Sequence, residues 1–92
     1  MDLDADTRLA LKRRAHHLKP VVQTGAAGLT DAVLAEIERA LFDHELIKLK
    51  LAAGDRAERR AMVERICTEL DAACVQTIGH TATIYRPRPE EA

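Results

Sequence analysis

The sequence predicts an α/β domain in which an N-terminal helix is followed by β-α-β-α-β-β, with the strands in one mixed four-stranded sheet. Three observations carry this. Glu45-Leu46-Ile47-Lys48-Leu49-Lys50-Leu51 alternates with period two, which puts Ile47, Leu49 and Leu51 on one strand face and Lys48 and Lys50 on the other. Just before it, Val33, Leu34, Ile37, Ala40 and Leu41 recur at helical spacing, the stripe of a helix with one buried side. Near the end, Gly79-His80 separates two β-like runs, Cys74 to Ile78 and Thr81 to Arg86, and a glycine opening a two-residue loop favours a tight II′ hairpin. Strand-helix-strand steps call for parallel crossovers while a hairpin is antiparallel, so the sheet is mixed. Two helices on one sheet face is the most economical packing for a chain this short.

The remaining elements follow in order. Asp6 or Thr7 can cap a first helix running to about His17, with Leu11, Ala15 and Leu18 as its apolar stripe and Arg8, Lys12 and His16 along one flank. Lys19-Pro20 stops that helix, because proline cannot continue it and biases its predecessor to extended geometry. Val21-Val22-Gln23-Thr24 reads as a short strand, and the helix after the next turn ends near His44. Asp55, with Glu58 three residues on, caps a third helix whose apolar side is Met62, Val63, Ile66 and Leu70. Its Arg56, Arg59, Arg60 and Arg65 alternate with Glu58, Glu64 and Glu69, as expected for mutual pairing on a solvated face. Pro87 and Pro89 close the fold in a short tail.

At 92 residues the whole chain, 1–92, is expected to form a single domain, and 47% hydrophobic with 32% charged residues suits a packed core rather than a disordered chain. No apolar run approaches the roughly 18 residues of a membrane span. The start, Met1-Asp2-Leu3-Asp4-Ala5-Asp6, is acidic where a signal peptide would be basic, so a cytoplasmic protein with no membrane partner is expected. Cys67 and Cys74 have neither C-x-x-C nor zinc-site spacing and read as reduced core thiols, with no metal and no cofactor expected.

The stretch that stands out chemically is Gly25-Ala26-Ala27-Gly28-Leu29-Thr30, which joins the first strand to the second helix. Its two glycines permit positive φ and leave the amides uncovered. Thr30 suits an N-cap, Asp31 a first turn, and Leu29 with Leu34 a hydrophobic staple, so a helix N-terminus faces the turn. That is a phosphate-sized cradle, although the same spacing also serves a plain tight turn. The net charge of −1 hides an asymmetry: Thr7 to Thr30 holds five Lys/Arg and no Asp or Glu, whereas Asp31 to Ala92 holds nine basic and twelve acidic residues. A one-signed window attracts a polyanion whatever the total charge, and it also suits a solvated helix face.

The blocks Ala15-His16-His17-Leu18-Lys19-Pro20-Val21-Val22, Gly25 to Thr30, His44-Glu45-Leu46-Ile47-Lys48-Leu49-Lys50, and Val75-Gln76-Thr77-Ile78-Gly79 with Tyr85-Arg86 together resemble the CRM domain (chloroplast RNA splicing and ribosome maturation), in particular its stand-alone bacterial YhbY-like members. The resemblance runs almost end to end. It implies a fold like the C-terminal domain of translation initiation factor three, RNA binding through the G-x-x-G loop and nearby basic residues, and association with precursors of the large ribosomal subunit. Two departures stand out: Ala26-Ala27 replaces the polar or basic loop centre usual in relatives, and the tail Arg86-Pro87-Arg88-Pro89-Glu90-Glu91 lacks the longer basic extension some relatives carry.

On these grounds the chain is expected to be a non-catalytic, monomeric RNA-binding module for structured ribosomal RNA. The backbone of Gly25, Ala26, Ala27, Gly28 and Leu29 would hold a phosphate, and Arg13, Arg14, Lys19, Lys48 and Lys50 would add electrostatic contacts. With only Phe42 and Tyr85 aromatic, recognition should rest on backbone and shape more than on stacking. An enzyme acting on a phosphorylated metabolite lacks parts, since no nucleophile with an adjacent base and no carboxylate pair can be assembled from nearby positions. A protein-interaction domain on the ribosome or its precursors remains the competing reading, separated from the first by whether isolated protein binds RNA at physiological salt.

Overall fold

The computed structural model describes residues 1–52 and 54–89. In chain order the elements are α1 (Ala5–Ala15), β1 (Pro20–Thr24), α2 (Asp31–His44), β2 (Leu46–Leu51), α3 (Arg56–Leu70), β3 (Ala73–Ile78) and β4 (Thr81–Tyr85). The expected order of elements is therefore present, in one sheet of strand order β1-β2-β4-β3. β1 pairs parallel to β2, and β4 runs antiparallel to both β2 and β3. The hairpin thus inserts β4 between β2 and β3, leaving β1 and β3 as edges.

Each face of this sheet has its own core. On one face α2 and α3 supply Ile37, Leu41 and Ile66, packed on Val22, Ile47, Leu49 and Ile84. Full burial of each such side chain contributes about 1.5–3 kcal/mol relative to exposure. On the other face α1 lays Leu11 and Ala15 over Leu46 and Val75, with Leu18 and Tyr85 at the margin. Leu46 therefore shares the lysine face of β2, and the strand is apolar on both sides only where α1 crosses it.

Several boundaries differ from the sequence expectation, each for a local reason. The N-cap of α1 is Asp4, not Asp6 or Thr7: its carboxylate accepts the Thr7 N–H at 2.7 Å, which also holds that carboxyl below the usual carboxylate range. α1 ends at Ala15 rather than His17, because the His16 N–H turns back to the Arg13 carbonyl and Leu18 to that of Ala15, tightening the last turn into i→i+3 bonds. Thr30 and Asp55 cap α2 and α3 as expected, accepting the N–H of Val33 and of Glu58. Gly79 has φ +55 at the first position of the hairpin turn, as a II′ geometry requires. Glu90 and Glu91 of the tail lie outside the described residues.

Arginines close the seams between the layers. Arg8, which the sequence placed on an outward basic flank, instead donates to the carbonyls of Cys74 and Val75, where the β3 register breaks. It thereby pins α1 to an edge strand whose carbonyls would otherwise be exposed for pairing. Arg86 forks onto Glu38 at 2.6 and 3.1 Å and donates to the Leu70 carbonyl at 3.0 Å, so one guanidinium joins the end of β4 to α2 and to the last turn of α3. Arg88 does the same for α2, donating to the carbonyls of Phe42 and Asp43.

Cys67 and Cys74 are half-buried free thiols beside Leu51, Val63 and Ala82. Burial, reinforced by the neighbouring Cys74, pushes the Cys67 thiol up to about 11. Since the thiolate is the nucleophile, carboxymethylation of Cys67 at pH 8 should run at least about tenfold slower in the folded than in the urea-unfolded chain, and should accelerate as pH approaches 11. Equal rates at pH 8 would contradict that environment. Arg86→Ala leaves the Leu70 carbonyl and Glu38 without their donor, and should lower unfolding free energy by about 1–3 kcal/mol in urea titrations. Arg86→Lys should recover only part, because an ammonium cannot fork.

Candidate nucleic-acid interface

Because β1 and β2 are parallel, their C-terminal ends lie side by side, and the loop from Gly25 to Thr30 leaves the sheet there, beside Ala52 and the Gly79-His80 tip. Thr24, buried at the foot of the loop, accepts the Ala52 N–H through Oγ1 at 3.3 Å. The Leu51 N–H donates to the His80 carbonyl at 2.7 Å. These bonds fix the loop's base to its neighbours.

Within the loop, the Gly28 N–H donates to the Gly25 carbonyl at 3.0 Å, closing a four-residue turn with Ala26 and Ala27 exposed at its tip. Only Gly28 has positive φ, at +73; Gly25 does not, so the expectation that both glycines supply it holds for one. The Gly28 amide is likewise spent inside the turn. Among the described residues, the amides of Ala26, Ala27 and Leu29 donate to no protein acceptor. The Leu29 side chain is half-buried against the α2–α3 core. α3 backs the loop: a Cβ on Gly28 would lie 3.7 Å from Met62 Cε, and Arg65 donates to the Leu29 carbonyl at 3.3 Å.

The expected basic residues do not gather around this loop. Arg13 and Arg14 are exposed on the last turn of α1, and Lys19 is exposed just before β1, at the opposite end of that strand. Five residues of strand separate the two ends, roughly 15 Å. Arg14 and Lys19 share a hollow of about 450 Å³ with His17 and His44. Lys48 lies level with Pro20 and Lys50 level with Gln23, two residues before the loop begins. Lys48 is half-buried and Lys50 exposed, on the sheet face beyond α1. A second hollow, lined by Lys12, Arg13, His16, His17 and Gln76, meets at Gln76 a third lined by Lys48, Ile78, Thr81 and Thr83. Among the described residues, no carboxylate lines any of the three. The geometry is a cationic track along the sheet rather than a cluster at the loop.

Three further cations escaped the sequence reading. Arg65 pairs with Glu69 at 3.2 Å as expected, but among the described residues Arg56, Arg59 and Arg60 have no carboxylate within 4.0 Å. Glu58 folds back over Gly54, and Arg59 donates to the Gly54 carbonyl at 2.6 Å. Helical spacing contained the signal: Arg56 and Arg60 are four apart, so the favoured partner position of one is occupied by a like charge.

A helix-flanked mixed sheet with a glycine turn between its parallel strands, and one face carrying Lys48 and Lys50, defines a small α/β domain with an exposed cationic surface. Residues 3–86 match the CRS1 / YhbY (CRM) domain, and the chain belongs to that family. It is 55% identical over 80 residues to an RNA-binding protein of Haemophilus influenzae, covering 87% of this chain and 81% of the relative. It is 47% identical over 90 residues to Probable RNA-binding protein PA4753 of Pseudomonas aeruginosa, covering 98% and 86%. The solution structure of the hypothetical protein SAV1595 from Staphylococcus aureus superposes with a TM-score of 0.84 at 25% identity, covering 99% of this chain and 95% of that one.

The loop geometry separates its two glycines. Gly28→Ala should cost about 1 kcal/mol or more, since an L-residue is strained in the left-handed region. Gly25→Ala meets nothing within 4 Å and should fall within about ±0.5 kcal/mol. Urea unfolding of the two variants checks this, and equal costs would refute the assignment of the turn.

Proposed function

We propose that this chain is a non-catalytic RNA-binding protein of the cytoplasm that holds structured ribosomal RNA in precursors of the large ribosomal subunit and acts there as an assembly factor. The observation that carries the reading is the cationic track. Arg14 and Lys19 share a hollow at the start of β1, Arg13 shares one with Gln76, Lys48 and Lys50 stand along β2, and the amides of Ala26, Ala27 and Leu29 lie past the end of β1; among the described residues no carboxylate lines these hollows. A phosphodiester backbone is the extended anion that suits cations spread over such a surface. The loop would grip one phosphate through backbone N–H groups, as the G-x-x-G loop of KH modules does, and the side chains would neutralise those that follow. Family membership and the names of the relatives support RNA as the partner.

The aromatic residues favour backbone over base recognition. Tyr85 packs under α1 and Phe42 is exposed on α2, so neither forms a stacking platform on the track. Sequence selectivity should accordingly be modest and shape selectivity larger. The role in subunit assembly rests on the family resemblance, and its test is sedimentation: the protein in a cell lysate should travel with precursor large subunits and leave them on nuclease treatment. Migration with mature ribosomes alone, or with neither, would count against it.

Direct binding to a structured ribosomal RNA fragment is expected to weaken with salt, with a log–log slope of about −2 to −3.5 for three to five neutralised phosphates. Exchanging Ala26 and Ala27 for Asp puts two carboxylates at the cradle and should cost at least about tenfold in affinity with an unchanged circular dichroism spectrum. Lys48→Gln with Lys50→Gln should reduce affinity while leaving stability within about ±0.5 kcal/mol. A slope near zero, or a folded Asp pair binding like the parent, would refute the track.

A further inference from the structure

We propose that the cleft between the start of α3 and the β3–β4 hairpin is a second seat for RNA phosphate, on the flank of α3 opposite the glycine loop; this rests on the reading of the loop and its track as an RNA site. The cleft has a volume of about 560 Å³ and is lined by Arg56, Arg59 and Arg60 from α3 and by Thr77, Gly79 and Thr81 from the hairpin. Among the described residues its single carboxylate is Glu64, against three guanidinium groups, and none of the three arginines has an acidic partner within 4.0 Å. Arg56 and Arg60 are exposed. Arg59 is held by its bond to the Gly54 carbonyl, which fixes the guanidinium while leaving its other N–H donors for a ligand.

Like charges collected in one concave site repel one another, and an anion there relieves the repulsion. Guanidinium matches phosphate in particular, because its planar fork donates two parallel bonds to two oxygens. The threonine hydroxyls add neutral donors, and with no aromatic side chain in the lining the site suits a sugar–phosphate backbone better than a stacked base. Position identifies the anion as part of the RNA already on the protein. α3 presents Met62 and Arg65 to the glycine loop on one flank and Arg56 and Arg60 to the cleft on the other. A folded RNA gripped at the loop can therefore set a second strand into the cleft, so that the two strands straddle the helix.

The test uses the full chain and a structured ribosomal RNA fragment in fluorescence anisotropy across a salt series. Arg56→Gln with Arg60→Gln is expected to weaken binding about fivefold or more at low salt and to make the log–log slope shallower by about 1.4, two phosphates at about 0.7 each, with an unchanged urea midpoint. Glu64→Gln should tighten binding about two- to threefold, a gain that lost packing would not produce. Combined with the Asp pair at Ala26 and Ala27, the arginine losses should multiply, as for separate seats on one ligand. A parent slope retained by the arginine variant while the Asp pair still loses affinity overturns the cleft and leaves the loop intact. A parent that binds no RNA overturns both. Loss of poly-glutamate binding with an unaltered RNA slope assigns the cleft to an acidic protein and overturns the proposal as well.

Discussion

Parallel pairing of β1 with β2 is the constraint on which the rest of the molecule depends. Two parallel neighbours cannot be joined by a tight turn, so the chain has to travel back along the sheet, and α2 is that return. The turn that starts the return falls at the C-terminal end of β1, where backbone amides are free because a helix is beginning and no strand continues. The glycine loop is thus placed by topology before any side chain is chosen. Thr24 then ties its foot to Ala52, and Met62 and Arg65 support it from behind.

α1 gives the opposite face its character. By covering Leu46 and Val75 it buries the apolar part of that face, while on the rest of it Lys50 stays exposed and Lys48 and Thr81 half-buried. A longer helix would have covered part of the track; a shorter one would have exposed Leu46. Arg8 matters here as an anchor, since its bonds to the β3 carbonyls set where the helix lies and hence where the open surface begins.

Period and punctuation made most of the fold legible in the sequence: alternation gave β2, the apolar stripe gave α2, Pro20 stopped α1, and Gly79 turned the hairpin. Strand order was not legible, because insertion of β4 between β2 and β3 depends on pairings between residues far apart in the chain. The candidate site was legible as residue types but not as an arrangement. Arg13, Arg14 and Lys19 are near Gly25 in sequence, yet β1 carries them to its other end, so proximity along the chain misjudged proximity in space. Conversely, Arg56 and Arg60 looked neutralised when charges were counted along α3, yet Glu58 turns back over Gly54 and, among the described residues, neither arginine has a carboxylate within 4.0 Å. Arg8, Arg86 and Arg88 show the remaining limit: a guanidinium in sequence gives no sign of whether it faces a ligand or a backbone carbonyl.

β2 is an inner strand, hydrogen-bonded on one side to β1 and on the other to β4. Its amides are thereby placed among those whose exchange with solvent deuterium requires opening of the whole domain rather than local fraying. Lys48 and Lys50 ride on that backbone, so the fold sets where their side chains start, and only the side-chain torsions remain free. The ordering entropy that a flexible basic tail loses on meeting a polyanion is, for these two positions, largely lost already at folding.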